Sequence, residues 1–314
     1  MKILITGGAG FIGSNLCHYH LNKGDYVHIV DNLLTGSKNN IKSFLNNKSF
    51  RFDQADIRNF NFLKLPRYDV VYHLASPASP IQYKKYPIDT LLTNSLGTHQ
   101  VLEFFKTSQS KTLVISSTSE VYGDPLVHPQ REDYFGNVNC VGPRACYDEG
   151  KRFAETLVIN YFKKYGLNVR IARIFNTYGP KMEKDDGRVV SNFIIQALTK
   201  NPLTIYGNGQ QTRSFCYVDD MINGLYLLAM TKNIAGEIIN IGNPDERKIT
   251  DLAEQILKIT RSQSKITYLK IDQDDPKKRK PDISKARAIL HWQPKINLNE
   301  GLEKTVNYFK ERFL

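Results

Sequence analysis

The chain is poor in cysteine, with four in 314 residues, at 17, 140, 146 and 216, and none in a CxxC spacing. A zinc site and a disulfide framework are excluded as sources of its stability, which leaves reduced thiols and no metal. No apolar run approaches the ~20 residues needed to cross a bilayer. The opening MKILITGG lacks the long apolar stretch and small-residue cleavage site of a signal peptide. Both absences point to a soluble, cytoplasmic-type protein without a membrane partner. Repeats, low-complexity tracts and long linkers are missing too. Charged residues at 24% and hydrophobic residues at 41% exclude the disordered and fibrous classes.

Acidic residues are scarce relative to basic ones, 31 against 43, a formal charge of +12. That excess suits an anionic partner, either nucleic acid or a phosphorylated small molecule. No recognised nucleic-acid reading motif accompanies the charge, so the small molecule is the better reading. One cluster stands apart, Lys277-Lys278-Arg279-Lys280.

Short β-branched runs alternate with helical patterns over the first 175 or so residues. Strands are expected at Lys2–Thr6, Tyr26–Val30, Asp69–Leu74, Thr112–Ser116 and Val169–Ile174, with helices at Phe11–Asn22, Ile88–Lys106 and Tyr147–Lys164. The strands are apolar throughout, as burial on both faces of a parallel sheet demands. The expected fold is α/β, a doubly wound (Rossmann) sheet over 1–178 with a smaller C-terminal substrate-binding lobe over 179–314. Segments around 215–242 are expected to return to the sheet.

Gly7-Gly8-Ala9-Gly10-Phe11-Ile12-Gly13 forms a GxxGxxG turn between the first strand and first helix. Glycine at 7 permits the tight turn, at 10 admits a pyrophosphate against the backbone, and at 13 lets the helix sit on the sheet. The second strand leads to Asp31, 18 residues past Gly13, placed to accept hydrogen bonds from ribose hydroxyls. A carboxylate there repels a 2′-phosphate, so NAD is favoured over NADP. Asp56 and Ile57 are candidates to flank the adenine.

Tyr147 and Lys151 stand at i and i+4, on one face of a helix. A phenol becomes a usable base near neutral pH only if its anion is stabilised, and a nearby Lys and an oxidised nicotinamide ring supply positive charge. Ser116-Ser117-Thr118-Ser119-Glu120 follows a strand, which puts its side chains at the carboxyl edge where ligands bind.

This constellation resembles the extended short-chain dehydrogenases/reductases that act on nucleotide sugars. The segments HLASPASP (73–80), STSEVYGDP (117–125), GPRACYDEGKR (142–152), RIFNTYGP (173–180), DGRVVSNFI (186–194) and DDPKKRKPDI (274–283) resemble the UDP-glucuronate decarboxylase family over nearly the whole chain. The resemblance implies that bound NAD oxidises the sugar C4 hydroxyl, that the resulting β-keto acid loses carbon dioxide, and that re-reduction yields UDP-xylose. It gives Tyr147 the role of base, Lys151 that of lowering its pKa, Thr118 that of holding the C4 oxygen, and places Glu120 and Ser119 near the carboxylate-bearing carbon. Arg279 is expected against the substrate's anionic groups, where a planar guanidinium makes bidentate contacts that Lys cannot. Arg213 and Asn176 match diphosphate contacts, Tyr206 a uridine-side contact and Tyr161 a sugar-nucleotide contact. Val190 and Gln211 complete the substrate set. Phe11, Ile12, Asn32, Thr35, Gly36, Leu74, Ser76, Thr93 and Arg188 complete the cofactor set. The family also pairs subunits through helices near 90–106 and 147–165, so a homodimer is expected.

The 4,6-dehydratases carry an Asp–Glu pair after the Thr, because eliminating water needs a general acid. Ser119-Glu120 stands here instead. The 4-epimerases lack the Arg-Lys-Pro-Asp ending. An oxidative decarboxylase that releases the 4-keto pentose and NADH is not separated from the redox-neutral enzyme by these residues. Two positions depart from the family pattern: Leu92 where Lys is usual, and Cys140 where proline is usual. Asp219 and Asp220 read as helix caps, and Lys277 and Lys278 as solvated loop.

Overall fold

A computed structural model describes residues 1–270 and 278–313 of the chain. Seven parallel strands form the main sheet. In chain order they are β1 (Lys2–Thr6), β2 (Tyr26–Asp31), β3 (Phe50–Gln54), β4 (Val70–His73), β5 (Thr112–Thr118), β6 (Val169–Ile174) and the strand Ile238–Ile241. From one edge to the other the order is Ile238–Ile241, β6, β5, β4, β1, β2, β3. The chain leaves β1 toward one edge and returns to β4 beside it, so the crevice at the carboxyl ends of β1 and β4 is the switch point where such sheets take ligands.

Alternation along the strands builds two cores. Ile3, Ile5, Val27, Ile29 and Tyr72 face one way and pack with Leu16 and Cys17 of α1 (Phe11–Asn22). Leu4, Val30, Val71, Leu113 and Ile115 face the other way, beneath Val101, Leu102, Phe104 and Phe105 of α4 (Thr98–Ser108) and Val158 of α5 (Ala145–Tyr165). Burial on both faces is why these strands read as continuous apolar runs.

The expected continuous helix over 88–106 is not observed. It divides into α3 (Pro87–Leu92), a widened π-type turn at Thr93–Gly97, and α4. Two packing demands account for the break. A Cβ at Gly97 would stand 2.7 Å from Ile57 Cδ1, so the backbone passes close beneath the β3 side. Asn94 Nδ2 donates to Thr90 O and to Ser76 Oγ, both at 2.9 Å. A short helix, α2 (Pro80–Lys85), precedes α3.

The second lobe is built from α6 (Val189–Leu198), α8 (Ile249–Thr260), α9 (Ser284–Leu290), α10 (Leu298–Phe313) and short strands. Between α6 and α8, α7 (Val218–Met230) packs on the main sheet and on α1. Asp220 does not cap α7, because its carboxylate accepts from Lys295 N at 3.0 Å and Ile296 N at 2.9 Å and so anchors the approach to α10. Lys278 is exposed, and Lys277 lies outside the described residues. No described helix is long and apolar enough to cross a membrane.

Candidate active site

A cavity of about 540 Å3 runs along the carboxyl edge of the sheet and is closed on its other side by the second lobe. Its floor begins with the glycine turn. Gly7 adopts φ +74° against the backbone of Ala75, a conformation open to glycine at little cost. A Cβ at Gly13 would stand 2.2 Å from Gly7 O, so only glycine lets α1 start this close to the sheet.

Asp31 ends β2 with its carboxylate at the cavity wall. Its Oδ2 accepts from Ala9 N at 2.9 Å and its Oδ1 from Leu33 N at 2.8 Å. One lone pair of each oxygen remains for a ligand hydroxyl. Burial pushes the carboxyl up, and the two backbone bonds oppose it. The turn, the glycine-backed floor and this acceptor fit the adenosine diphosphate half of NAD. Asp56 is held by Arg58, through Nε at 2.9 Å and Nη2 at 2.6 Å, and by Asn32 Nδ2 at 3.0 Å.

Tyr147 lies in the first turn of α5, and Lys151 follows one turn later. The Tyr147 ring stacks on Tyr83 of α2, with centroids 5.1 Å apart and planes 4° from parallel. Burial holds its phenol above the ordinary value, while a hydrogen bond with Thr118 pulls it down. Lys151 Nζ donates to Ser116 O at 2.8 Å and lies 6.0 Å from the Tyr147 ring centroid. Complete burial brings its pKa down to about 7. Thr118 ends β5, and its Oγ1 accepts from Glu120 N at 3.2 Å, which starts the short turn Ser119–Tyr122.

Glu120 is clasped by two guanidinium groups. Arg144 Nη2 donates to Oε2 and Arg279 Nη1 to Oε1. Burial pushes this carboxyl up, but Arg279 and Arg144 overcome it and hold the pKa at about 2. Arg279 Nη2 also donates to Gly123 O at 3.2 Å. The short strand Lys278–Arg279 pairs in parallel with Thr212–Ser214, which sets Arg279 beside Arg213. Two arginines of the second lobe thus line the cavity at the carboxyl edge of the main sheet.

Every sequence-selected site residue but one lines this cavity, from Gly7, Gly10, Phe11 and Ile12 to Tyr206, Gln211, Arg213 and Arg279. Arg188 closes over the Phe11 ring at 5.6 Å and pairs with Asp186 through Nη2 at 2.7 Å. Tyr161 is the exception. Its hydroxyl donates to Glu103 Oε1 at 2.6 Å and its ring packs on Tyr165, because position 161 falls on the α5 face turned to α4. Sequence reasoning missed Arg144 and Tyr83. Arg144 sits three residues before Tyr147 inside a segment already singled out, whereas nothing local marks Tyr83.

Comparison with known proteins matches residues 4–305 to a family model described as GDP-mannose 4,6 dehydratase. UDP-glucuronic acid decarboxylase 1 of Xenopus tropicalis is 50% identical over 310 residues, 99% of this chain and 72% of that protein. UDP-glucuronic acid decarboxylase 6 of Arabidopsis thaliana is 50% identical over 313 residues, 99% of this chain and 90% of that protein. Among solved structures, UDP-glucuronic acid 4-epimerase from Bacillus cereus, in complex with UDP-glucuronic acid and NAD, superposes with a TM-score of 0.90 at 35% identity, covering 100% of both chains. A dTDP-glucose 4,6-dehydratase from Bacillus anthracis, in complex with NAD, gives 0.86 at 28% identity, covering 100% of this chain and 97% of the other.

Proposed function

The chain belongs to the family of UDP-glucuronic acid decarboxylases, and from that premise we propose that it converts UDP-glucuronate to UDP-xylose and carbon dioxide, with NAD retained in the cleft. The observation that carries this reading is the Arg144–Glu120–Arg279 clasp beside Tyr147 and Thr118. Two cations and one anion leave a net positive charge, matched to one sugar carboxylate. With its pKa near 2, Glu120 is ionised at neutral pH and cannot serve as the acid that elimination of water requires. Ser119 supplies no acid either. Decarboxylation needs none at that step.

When bound, NAD supplies the two-electron oxidant at C4 and returns the same electrons at the end. Tyr147 takes the proton of the C4 hydroxyl, and Thr118 hydrogen-bonds the oxygen. Lys151, one turn away, favours the phenolate when it carries its charge. The C4 ketone is β to the carboxylate, so the C5–C6 bond breaks with its electron pair delocalised onto the C4 oxygen. Thr118 and the now protonated Tyr147 hold that developing charge. C5 then takes a proton supplied from solvent, which balances the lost carbon dioxide, and Tyr147 returns its own proton to the C4 oxygen on reduction. In this reading Asn176 and Arg213 hold the diphosphate and Tyr206 the uridine side, and Gln211 and Val190 line the same cavity.

A homodimer through α3, α4 and α5 belongs to the same reading. Leu91 and Leu92 of α3, Leu96 of the turn between α3 and α4, and Phe153 of α5 are exposed apolar side chains, and their burial against a second copy supplies the driving force.

The test is incubation of purified protein with UDP-glucuronate, without and with added NAD, with products identified by mass spectrometry and NADH followed by absorbance. UDP-xylose without net NADH is the expected result. A keto-pentose with stoichiometric NADH assigns the oxidative reaction, and no consumption with NAD present overturns the substrate.

A further inference from the structure

The C-terminal helix reaches the cofactor cleft from the opposite lobe. α10 is rooted by the buried side chains of Leu298, Leu302, Val306 and Phe309, and Tyr178 donates to Leu298 O at 3.3 Å. Four turns later Arg312 meets the nucleotide side. Its Nη1 donates to Asn40 Oδ1 at 2.8 Å and its Nη2 to Glu183 Oε1 at 3.0 Å. Asn40 and Glu183 both line the cavity.

Asn40 is buried and fully committed. Its Nδ2 donates to Ala9 O at 3.2 Å and to Lys181 O at 3.3 Å. This orientation of the amide is fixed by chemistry, since two carbonyls require the NH2 group and the guanidinium requires the oxygen. Ala9 belongs to the glycine turn and donates to Asp31 Oδ2 at 2.9 Å. One guanidinium therefore joins three walls of the cleft: the glycine turn, the segment 31–41, and the segment 180–188 that carries Arg188.

We propose that Arg312 is a positioning residue for the cofactor, and that it keeps the adenosine end of the cleft closed while reduced NAD waits between the two redox steps. This rests on the proposed decarboxylase reading. Retention matters because a redox-neutral decarboxylase must not lose NADH before the 4-keto intermediate is reduced. The walls hold other ties as well, since Asn15 Nδ2 donates to Pro180 O and Lys181 Nζ to Ser14 O, each at 3.0 Å. Loss of Arg312 loosens the cleft without unfolding it. A charge-assisted hydrogen bond of this kind corresponds to roughly a tenfold change in release rate.

The experiment uses the full chain with Arg312→Ala, Arg312→Lys, and Lys310→Ala as a charge-matched control on the same helix. NADH dissociation is followed by fluorescence with excess NAD as chase, without sugar. Release about ten times faster in Arg312→Ala, intermediate in Arg312→Lys and within twofold of wild type in Lys310→Ala is the expected result. Under turnover, the share of UDP-glucuronate ending as keto-pentose with NADH should rise in the same order. Equal release from Arg312→Ala and wild type, or the same acceleration in Lys310→Ala, overturns the proposal. If Arg312→Ala does not fold, Arg312→Lys alone decides, with release within twofold of wild type as the refuting outcome. Faster release from a protein that never consumes UDP-glucuronate would keep the clamp and reject the substrate.

Discussion

Arg279→Lys tests the clasp around Glu120 most directly, because it keeps the charge and removes only the fork. In the wild-type chain one guanidinium reaches both Glu120 Oε1 and Gly123 O, and the residue is 2% exposed. An ammonium can hold the carboxylate, but it lacks the planar second arm that also reaches Gly123 O or turns to a substrate anion. Losing one hydrogen bond to a charged group costs about 1.5–3 kcal/mol, or roughly 10- to 150-fold in kcat if it is made in the transition state. NAD affinity should stay within twofold. Arg279→Ala adds a pH signature. Burial pushes the Glu120 carboxyl up from 4.5, and the two arginines bring it down to about 2. With one arginine gone the burial effect gains, so the acid limb of kcat/KM moves to higher pH, and less so in the Lys variant. A depressed carboxyl stabilises the fold in full above pH 4.5 and loses that contribution as pH falls through about 2. Acid denaturation of Arg279→Ala should therefore begin at higher pH. The assay is UDP-xylose formation by mass spectrometry across the acid and neutral range, beside urea unfolding. A Lys variant within twofold of wild-type kcat, or an Ala variant with an unmoved acid limb, refutes the assignment.

Gly13→Ala brings a Cβ to 2.2 Å from Gly7 O and 2.8 Å from Gly8 Cα, both backbone atoms that cannot swing aside. The expected result is a stability loss of about 1–3 kcal/mol in urea with NAD binding lost in equilibrium dialysis. Lys151 is depressed from 10.5 to about 7, so between those values the unfolded chain holds a proton that the folded chain lacks. Stability from this group rises with pH across that window, and Lys151→Met should flatten the slope between urea titrations at about pH 7 and pH 9. Tyr161→Phe removes only the bond to Glu103. KM for UDP-glucuronate should stay within twofold at a stability cost of about 0.5–1.5 kcal/mol, and a tenfold rise in KM would return the side chain to the substrate.

Much of the cleft was legible because its parts are local. A GxxGxxG turn, an acidic residue ending the next strand and a Tyr and Lys one helical turn apart each declare their geometry within a few residues. The sheet was legible for a similar reason, since burial on both faces leaves unbroken β-branched runs. The break in the 88–106 helix was not, because local periodicity carries no trace of Gly97 passing under Ile57 or of Asn94 reaching back to Ser76. Tyr161 shows the same limit. Position 161 lies on the same helix as Tyr147, but its side chain emerges on the face that α4 covers.

The sequence alone determined the nucleotide turn, the carboxylate at 31 and the Tyr147–Lys151 pair, since each is a matter of residue type at fixed spacing, whereas the arginine at 279 was implied by the family resemblance. The tertiary structure decided what these groups become together. Glu120 and Arg279 are 159 positions apart, and they meet because Lys278–Arg279 pairs with Thr212–Ser214 while Lys280 exchanges hydrogen bonds with Gln130. The resulting field, two guanidinium groups around one buried carboxylate, keeps Glu120 ionised against the upward push of burial. Arg312 and Asn40, 272 positions apart, meet for the same reason: a helix rooted in one lobe ends over the loops of the other, a geometry that no local pattern encodes.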